Sequence, residues 1–527
     1  MPFQREKYMN EIIDEFETVC FGDERVNARA KKVIQSMFEG IGKGFNASFK
    51  GRSEIKAAYR LFDNNLVNPD KILDPHYTKT LERIKEQKIV VLSQDTTDID
   101  MKHMGRVENL GVLNDTKRPG CSLHPVVAFT PDKLCLGIID AKFIIRPAEE
   151  LGEKKHNNSR EIEDKESYRW VQGYHVACKV AEQCPQTLCI SVGDRESDIY
   201  ELLLEATKGK AELIARAWHD RMISLPPSEK EQKLLHENQQ LYNEIKKLAA
   251  INEENKNKKS YSSKRKENSA LIKELKRRIK ENKSAIQKEI SEVHRFKHQL
   301  SLSPIIGTVE FMLPEGRGRK SRLVKQTIRA SEVTLEPSEH KKALPEITIN
   351  AILLEETGPP EGEEAVSWMF ITTLPINTIE EIQFIIKVYI SRWGIELFFK
   401  VLKSGCKIEE LRYREASRLL ACISVYMIVA WRILFATYIG RECPDLSCSA
   451  LFEISEWQSV CAVVLKKQPP EEAPPLGEFM KMIATLGGHR GRKSDGPPGI
   501  KVIWIGIQAM HKLAEGWEAF REFGQIK

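Results

Sequence analysis

Three carboxylates, Asp95, Asp194 and Glu396, occupy positions from which they could converge on one site. Ile89-Val90-Val91-Leu92 is a short continuous apolar run of the buried-strand type, ended by Gln94-Asp95-Thr96-Thr97. Leu188-Cys189-Ile190-Ser191-Val192 is a second such run, closed by Gly193-Asp194. An Asp at the end of a buried strand is held rigidly at a sheet edge, where solvent and substrate can enter. Carboxylates converging from separate elements bind hard divalent ions through oxygen and leave positions open for water and phosphate. The chemistry to expect is metal-assisted phosphoryl transfer, although a strand-end Asp is common in α/β proteins and neither residue decides alone.

The third element is Val388-Tyr389-Ile390-Ser391-Arg392-Trp393-Gly394-Ile395-Glu396, continuing to Lys403. Tyr389, Arg392, Glu396 and Lys403 lie at offsets of three, four and seven, close to one face of a helix predicted from Thr378 to about Lys403. A carboxylate flanked by Arg and Lys offers an oxygen ligand to an ion and cations to phosphates. The competing reading is a set of surface ion pairs, Arg392 with Glu396 and Glu396 with Lys400. It would be preferred without the two upstream aspartates.

The elements that must position these residues read as a mixed α/β sheet flanked by helices. Residues 1–75 show helical spacing and end in a basic cluster, Lys50, Arg52, Lys56 and Arg60 around Tyr59, which by itself reads as a solvated helix face. Strands are predicted around Val126–Phe129 and Leu136–Ile145, and a helix from Asp164 to Cys184. In residues 228–300, Leu234, Leu241 and Leu248, then Ile272, Ile279, Ile286 and Val293, recur every seven residues. That pattern predicts an antiparallel helical hairpin with arms about 35–45 Å long at about 1.5 Å per residue. Residues 253–300 carry fifteen Lys/Arg against seven Asp/Glu, an excess larger than the +6 of the whole 527-residue chain. Such local charge tilts the hairpin from a purely structural coiled coil toward DNA contact through Arg277, Arg278, Lys280, Lys283 and the tip. Arg317, Arg319, Lys320, Arg322, Lys325 and Arg329 crowd a stretch between further strands. Leu419 to Ile439 approaches membrane-spanning length but contains Arg432, so a buried core helix is expected. Eleven cysteines without a C-x2-C pair, and a charged first segment without an apolar h-region, point to a reduced cytoplasmic protein with structural thiols.

Tyr389-x2-Arg392-x3-Glu396-x6-Lys403 resembles the Y-R-E-K signature of bacterial insertion-sequence transposases of the DDE type. Asp95-Thr96-Thr97 and Asp194-Arg195-Glu196-Ser197-Asp198-Ile199 resemble the segments that carry that family's two aspartates. Asp23 to Asn27 and Lys56 to Arg60 resemble its N-terminal DNA-binding domain, and Leu486 through Glu518 its C-terminal dimerisation region. The resemblance implies a ribonuclease H-like catalytic domain over 76–440, interrupted by a β-strand insertion at 222–345 that carries the hairpin. Helical domains at 1–75 and 441–527 would bind the DNA end and dimerise. Asp95, Asp194 and Glu396 would hold two Mg²⁺ or Mn²⁺ ions. Tyr389, Arg392 and Lys403 would hold phosphates, and Trp368 would take up a flipped base. Arg319, Lys320 and Arg322 join Lys50, Arg52, Lys56 and Arg60 as candidate DNA contacts. The implied reaction is cleavage at terminal inverted repeats through a hairpin intermediate, then strand transfer into target DNA, by a homodimer near the nucleoid. Two alternatives remain: a nuclease of the same fold without strand transfer, and a DNA-binding regulator with a dead site.

Overall fold

The computed structural model describes residues 12–40, 43–103, 107–113, 118–150, 160–313, 321–492 and 495–523; Arg317, Arg319 and Lys320 lie outside them. The chain divides into two compact units, residues 1–214 with 383–527, and residues 215–382.

The first unit begins with helices α1 (Glu24–Glu39), α2 (Arg52–Phe62) and α3 (Pro69–Lys85). Asp23 caps α1 by accepting from the Arg25 N–H, and Asn68 caps α3, where Pro69 has no N–H to satisfy. Strands β1 (Ile89–Gln94), β2 (Thr97–Asp100), β3 (Gly120–Phe129) and β4 (Cys135–Ile144) follow, then α4 (Tyr168–Gln183), β5 (Leu188–Gly193) and α5 (Tyr200–Ala206). β1 lies between antiparallel β3 and parallel β5, with Ser93 level with Val192. β2 and β4 both pair with β3, and the sheet is therefore mixed. β6 (Glu212–Arg216) carries the chain into the second unit.

In that unit α6 (Glu229–Glu254) and α7 (Ser262–Val293) form the expected antiparallel hairpin. Leu241, Leu275 and Ile279 are its dry seam, with Ile245 and Leu248 packed alongside. After α8 (Phe296–Leu302), strands β7 (Gly307–Leu313), β8 (Arg322–Leu335), β9 (Ile347–Glu356) and β10 (Ser367–Thr372) make an antiparallel meander.

α9 (Ile379–Ser391) returns the chain to the first unit, followed by α10 (Gly394–Lys400), α11 (Ala416–Glu442), α12 (Ile454–Leu465), α13 (Leu476–Leu486) and α14 (Ile500–Phe523). The single helix expected from Thr378 to Lys403 is in fact broken. Arg392 and Trp393 donate to the carbonyls of Tyr389 and Ile390, three residues back rather than four. A π-helical turn then spans Val401–Gly405, where the Cys406 N–H reaches five residues back to Val401. α11 is long and apolar enough to cross a membrane, yet its most apolar window is wholly buried in the protein. Arg432 on it donates to the Leu451 carbonyl, and burial lowers its pKa to about 10.

A buried ion-pair network ties the N-terminal segment to this core. Arg83 of α3 donates to both oxygens of Glu15 and, at 2.5 Å, to the Leu136 carbonyl of β4. Its guanidinium lies 4.3 Å from the ring centroid of Trp431 on α11. His76 Nε2 accepts the Ile138 N–H, so the ring is neutral, with its Nδ1 proton directed at Glu15. Burial alone would raise the Glu15 pKa, but Arg83 and His76 outweigh it and hold the carboxyl at about 2. Glu15→Ala, which leaves Arg83 buried without its counter-charge, is expected to cost about 3–5 kcal/mol of stability in denaturant titration. The Glu15 contribution is present above the free carboxylate value of 4.5 and is lost as the pH falls toward about 2.

Candidate active site

Parallel pairing brings the two aspartates together. Asp95 and Asp194 each lie two residues beyond the paired Ser93 and Val192, on neighbouring strands about 4.8 Å apart. Asp95 Oδ1 accepts its neighbour Thr96 N–H at 2.8 Å. Asp194 caps the short turn Arg195–Ser197, with Oδ1 accepting the Glu196 N–H at 2.8 Å. Gly193 permits this tight turn, since a Cβ there would lie 2.4 Å from the Ser197 side chain.

Glu396 arrives on the first turn of α10. Gly394 lets that helix sit against β3, because a Cβ would stand 2.6 Å from Phe129. The tightened turn before α10 aims Arg392 into the cluster. Arg392 Nη1 donates to Asp95 Oδ2 at 2.8 Å and Nη2 to Glu396 Oε1 at 3.2 Å. Trp393, half exposed, donates its indole N–H to Glu396 Oε2. Sequence reasoning missed Trp393, although it stands in the stretch that carries the signature and only its Nε1–H marks it as polar. Tyr389 is buried, with its ring 5.7 Å from the Arg392 guanidinium.

The structure therefore gathers Asp95, Asp194, Arg392 and Glu396, with Tyr389 beside them. Lys403 behaves differently. The π-helical turn shifts it out of step with Glu396, and it pairs with Glu409 at 3.6 Å. Lys50, Arg52, Lys56 and Arg60 are exposed on and just before α2, and their side chains have no acidic partner among the described residues. In the second unit, Trp368 stacks on Phe311 at 5.0 Å, and Arg322 is held by Glu356 and Glu363.

Burial pushes the Asp95 carboxyl up to about 6; Arg392 opposes this, while Asp194 and Glu396 add to it. Three acids with one guanidinium among them leave a deficit of positive charge, and their donors are all hard oxygens, which fits a divalent cation. Among the described residues, no three His, Cys, Asp or Glu side chains are already drawn close enough to enclose an ion. Arg392 bridges Asp95 and Glu396 instead, as an organic cation between two of the acids.

Acidic groups at the carboxyl ends of parallel strands in a mixed sheet are an arrangement suited to metal-dependent phosphodiester chemistry. Residues 132–429 match the family model described as a transposase DDE domain, residues 9–67 a transposase DNA-binding domain, and residues 428–526 the transposase Tn5 dimerisation domain. The first match alone covers more than half of the chain, which belongs to the DDE transposase family. The protein is thus a DNA transposase, a polynucleotidyl transferase and endonuclease with DNA-binding and dimerisation regions, of a family that works with divalent metal ions. The DDE match begins downstream of Asp95, so the place of that residue rests on β1–β5 pairing.

An ion that took Asp95 as a ligand would have to displace its proton, so Mn²⁺ affinity would then climb as the pH rises through about 6 and level off. Arg392→Gln removes a group that lowers the Asp95 pKa and should move the inflection to higher pH. Paramagnetic titration of free Mn²⁺ across this range reads both effects; a flat profile in the wild-type protein would contradict them.

Proposed function

We propose that Asp95, Asp194 and Glu396 are the metal-binding triad, holding two Mg²⁺ or Mn²⁺ ions, and that this site both cuts transposon ends and joins them to target DNA. The observation that carries the reading is the side-by-side placement of Asp95 and Asp194, with Glu396 linked to Asp95 through Arg392. When bound, the ions would supply Lewis acidity for the attacking water or 3′-hydroxyl and for the leaving oxygen. The side chains do the rest. Arg392, already poised between two acids, would exchange them for a phosphate as cations enter, and Tyr389 backs its guanidinium. Lys403 would leave Glu409 to meet a neighbouring phosphate. Trp368 would accept a flipped base on a ring already backed by Phe311, with stacking offsetting part of the few kcal/mol of unstacking. Cleavage would pass through a DNA hairpin that is reopened before strand transfer.

Residues 1–75 would read the terminal inverted repeats through Lys50, Arg52, Lys56 and Arg60, residues 76–440 would carry the catalysis, and residues 441–527 would pair two subunits in the synaptic complex. Asp95→Ala, Asp194→Ala and Glu396→Ala should each reduce cleavage and joining by about 10³-fold or more while end-DNA binding persists. A gel assay with labelled ends and a target plasmid separates the steps. Wild-type cleavage in any one variant removes that residue from the triad, and cleavage without joining in the unaltered protein makes it a nuclease.

The hairpin's DNA contact centres on its tip, where lysines without acidic partners cluster; Lys280 on the return arm is likewise exposed with no acidic partner among the described residues. On the return arm, Arg277 pairs with Glu274 and Glu281, and Arg278 with Glu237. At the tip, Lys256 to Lys266 contains six cations and no acid. Lys259, Lys264 and Lys266 are exposed and have no acidic partner among the described residues. Converting these three to Gln should flatten the dependence of DNA affinity on salt by about 2–3 logarithmic units of slope, at about 0.9 per phosphate contact. Arg277→Gln should not change the slope, and an unaltered slope in the tip variant would make the hairpin a structural appendage.

A further inference from the structure

We propose that Arg169, on α4, is a positioning residue that holds the Asp95 and Asp194 loops in one register, and that the metal affinity of the site depends on it. The inference rests on the triad reading above.

β-Ladder pairing between β1 and β5 runs as far as Ser93 and Val192. Asp95 lies past it, in the two-residue step between β1 and β2, which both pair with β3, and Asp194 lies on the turn after β5; no ladder bond ties these two segments to each other. Each aspartate is oriented by a backbone N–H close behind it, Thr96 for Asp95 and Glu196 for Asp194. Arg169 grips those same two residues. Its Nε donates to Thr96 Oγ1 at 3.0 Å and its Nη2 to Glu196 Oε2 at 2.6 Å. Its Nη1 donates to the Glu166 carbonyl at 3.0 Å, which anchors the guanidinium to the turn just before its own helix. The Glu166 carboxylate is in turn held by Arg146 at 2.5 Å. One rigid guanidinium plane thus spans the two loops that deliver the aspartates.

Thr96 is supported from the other side as well. His124 Nδ1 lies 2.9 Å from Thr96 Oγ1, and burial keeps the imidazole neutral by lowering its pKa to about 3. The hydroxyl therefore sits between a fixed imidazole and a fixed guanidinium, and the Thr96 amide that orients Asp95 has little freedom. Only a planar, forked cation can direct separate N–H bonds at a hydroxyl, a carboxylate and a carbonyl in these directions; a lysine ammonium at the end of a flexible stem cannot. Arg169 does not touch the reacting atoms. Its effect is on how closely the two carboxylates are held in a metal-binding arrangement, and outer partners of metal ligands commonly control affinity by about 10–100-fold.

The test measures Mn²⁺ binding to the full-length protein by paramagnetic titration without DNA, alongside thermal melting and metal-free binding of end DNA. Arg169→Gln and Arg169→Lys should both weaken Mn²⁺ binding by about 10–100-fold, with DNA binding unchanged. Thr96→Val should share the defect and Thr96→Ser, which keeps the hydroxyl, should restore near-normal affinity. The double variant Arg169→Gln/Glu196→Gln should be little worse than Arg169→Gln alone, because both remove one brace. Normal Mn²⁺ affinity in Arg169→Gln overturns the proposal. So does a loss that appears only with a lower melting temperature while Thr96→Val and Glu196→Gln bind normally. Asp95→Asn separates the two readings: if it binds Mn²⁺ as the unaltered protein does, the triad reading fails, whatever Arg169 does.

Discussion

The parallel pairing of β1 with β5 is the constraint on which the site depends. Both strands are buried along almost their whole length, so their register is locked by packing as well as by hydrogen bonds. That register sets Asp95 beside Asp194 at the carboxyl ends of the strands. Burial works against a charged Asp95 and raises its pKa, and repulsion from the adjacent Asp194 adds to the cost. Arg392 offsets part of that cost by bonding Asp95 and Glu396 directly, and Arg169 bonds the residues that follow the two aspartates. A divalent ion would relieve it more fully, because its charge is higher and its ligand distances are shorter.

The broken helix serves the same purpose from the other side. A straight helix from residue 379 to 403 would carry Arg392, Glu396 and Lys403 on one rigid face. The tightened turn at Arg392 and Trp393 and the π-helical turn at 401–405 separate their directions. Arg392 and Glu396 face the aspartates, and Lys403 is parked on Glu409. Such interruptions are less stable than continuous helix and are found where function needs a particular side-chain aim.

Much of this was legible in the sequence, for identifiable reasons. Continuous apolar runs ended by Asp marked β1 and β5, because a strand buried on both faces leaves no polar alternation. The seven-residue repeats marked both hairpin arms, and the apolar run with Arg432 marked α11 as a core helix. Other features were out of reach. Local spacing does not report a hydrogen bond slipping from four residues to three or five, so the helix at 378–403 was expected to be unbroken. Of the return-arm cations that the sequence offers to DNA, Arg277 and Arg278 are paired with acids, and the pairing of Arg278 with Glu237 across the arms depends on three-dimensional register. Arg169 lies 73 residues from Thr96 and 27 from Glu196, and nothing local distinguishes it from any other helix arginine.

The central claim is that Asp95, Asp194 and Glu396 together receive a divalent cation at the end of the β1–β5 pair. Anomalous scattering from crystals of the protein grown with Mn²⁺ tests it directly. The account predicts a peak within ligand distance of Asp95 and Asp194, with Glu396 drawn toward it and Arg392 turned off Asp95. A manganese peak elsewhere, or none at saturating Mn²⁺ with the Arg392 bridge intact, would contradict it.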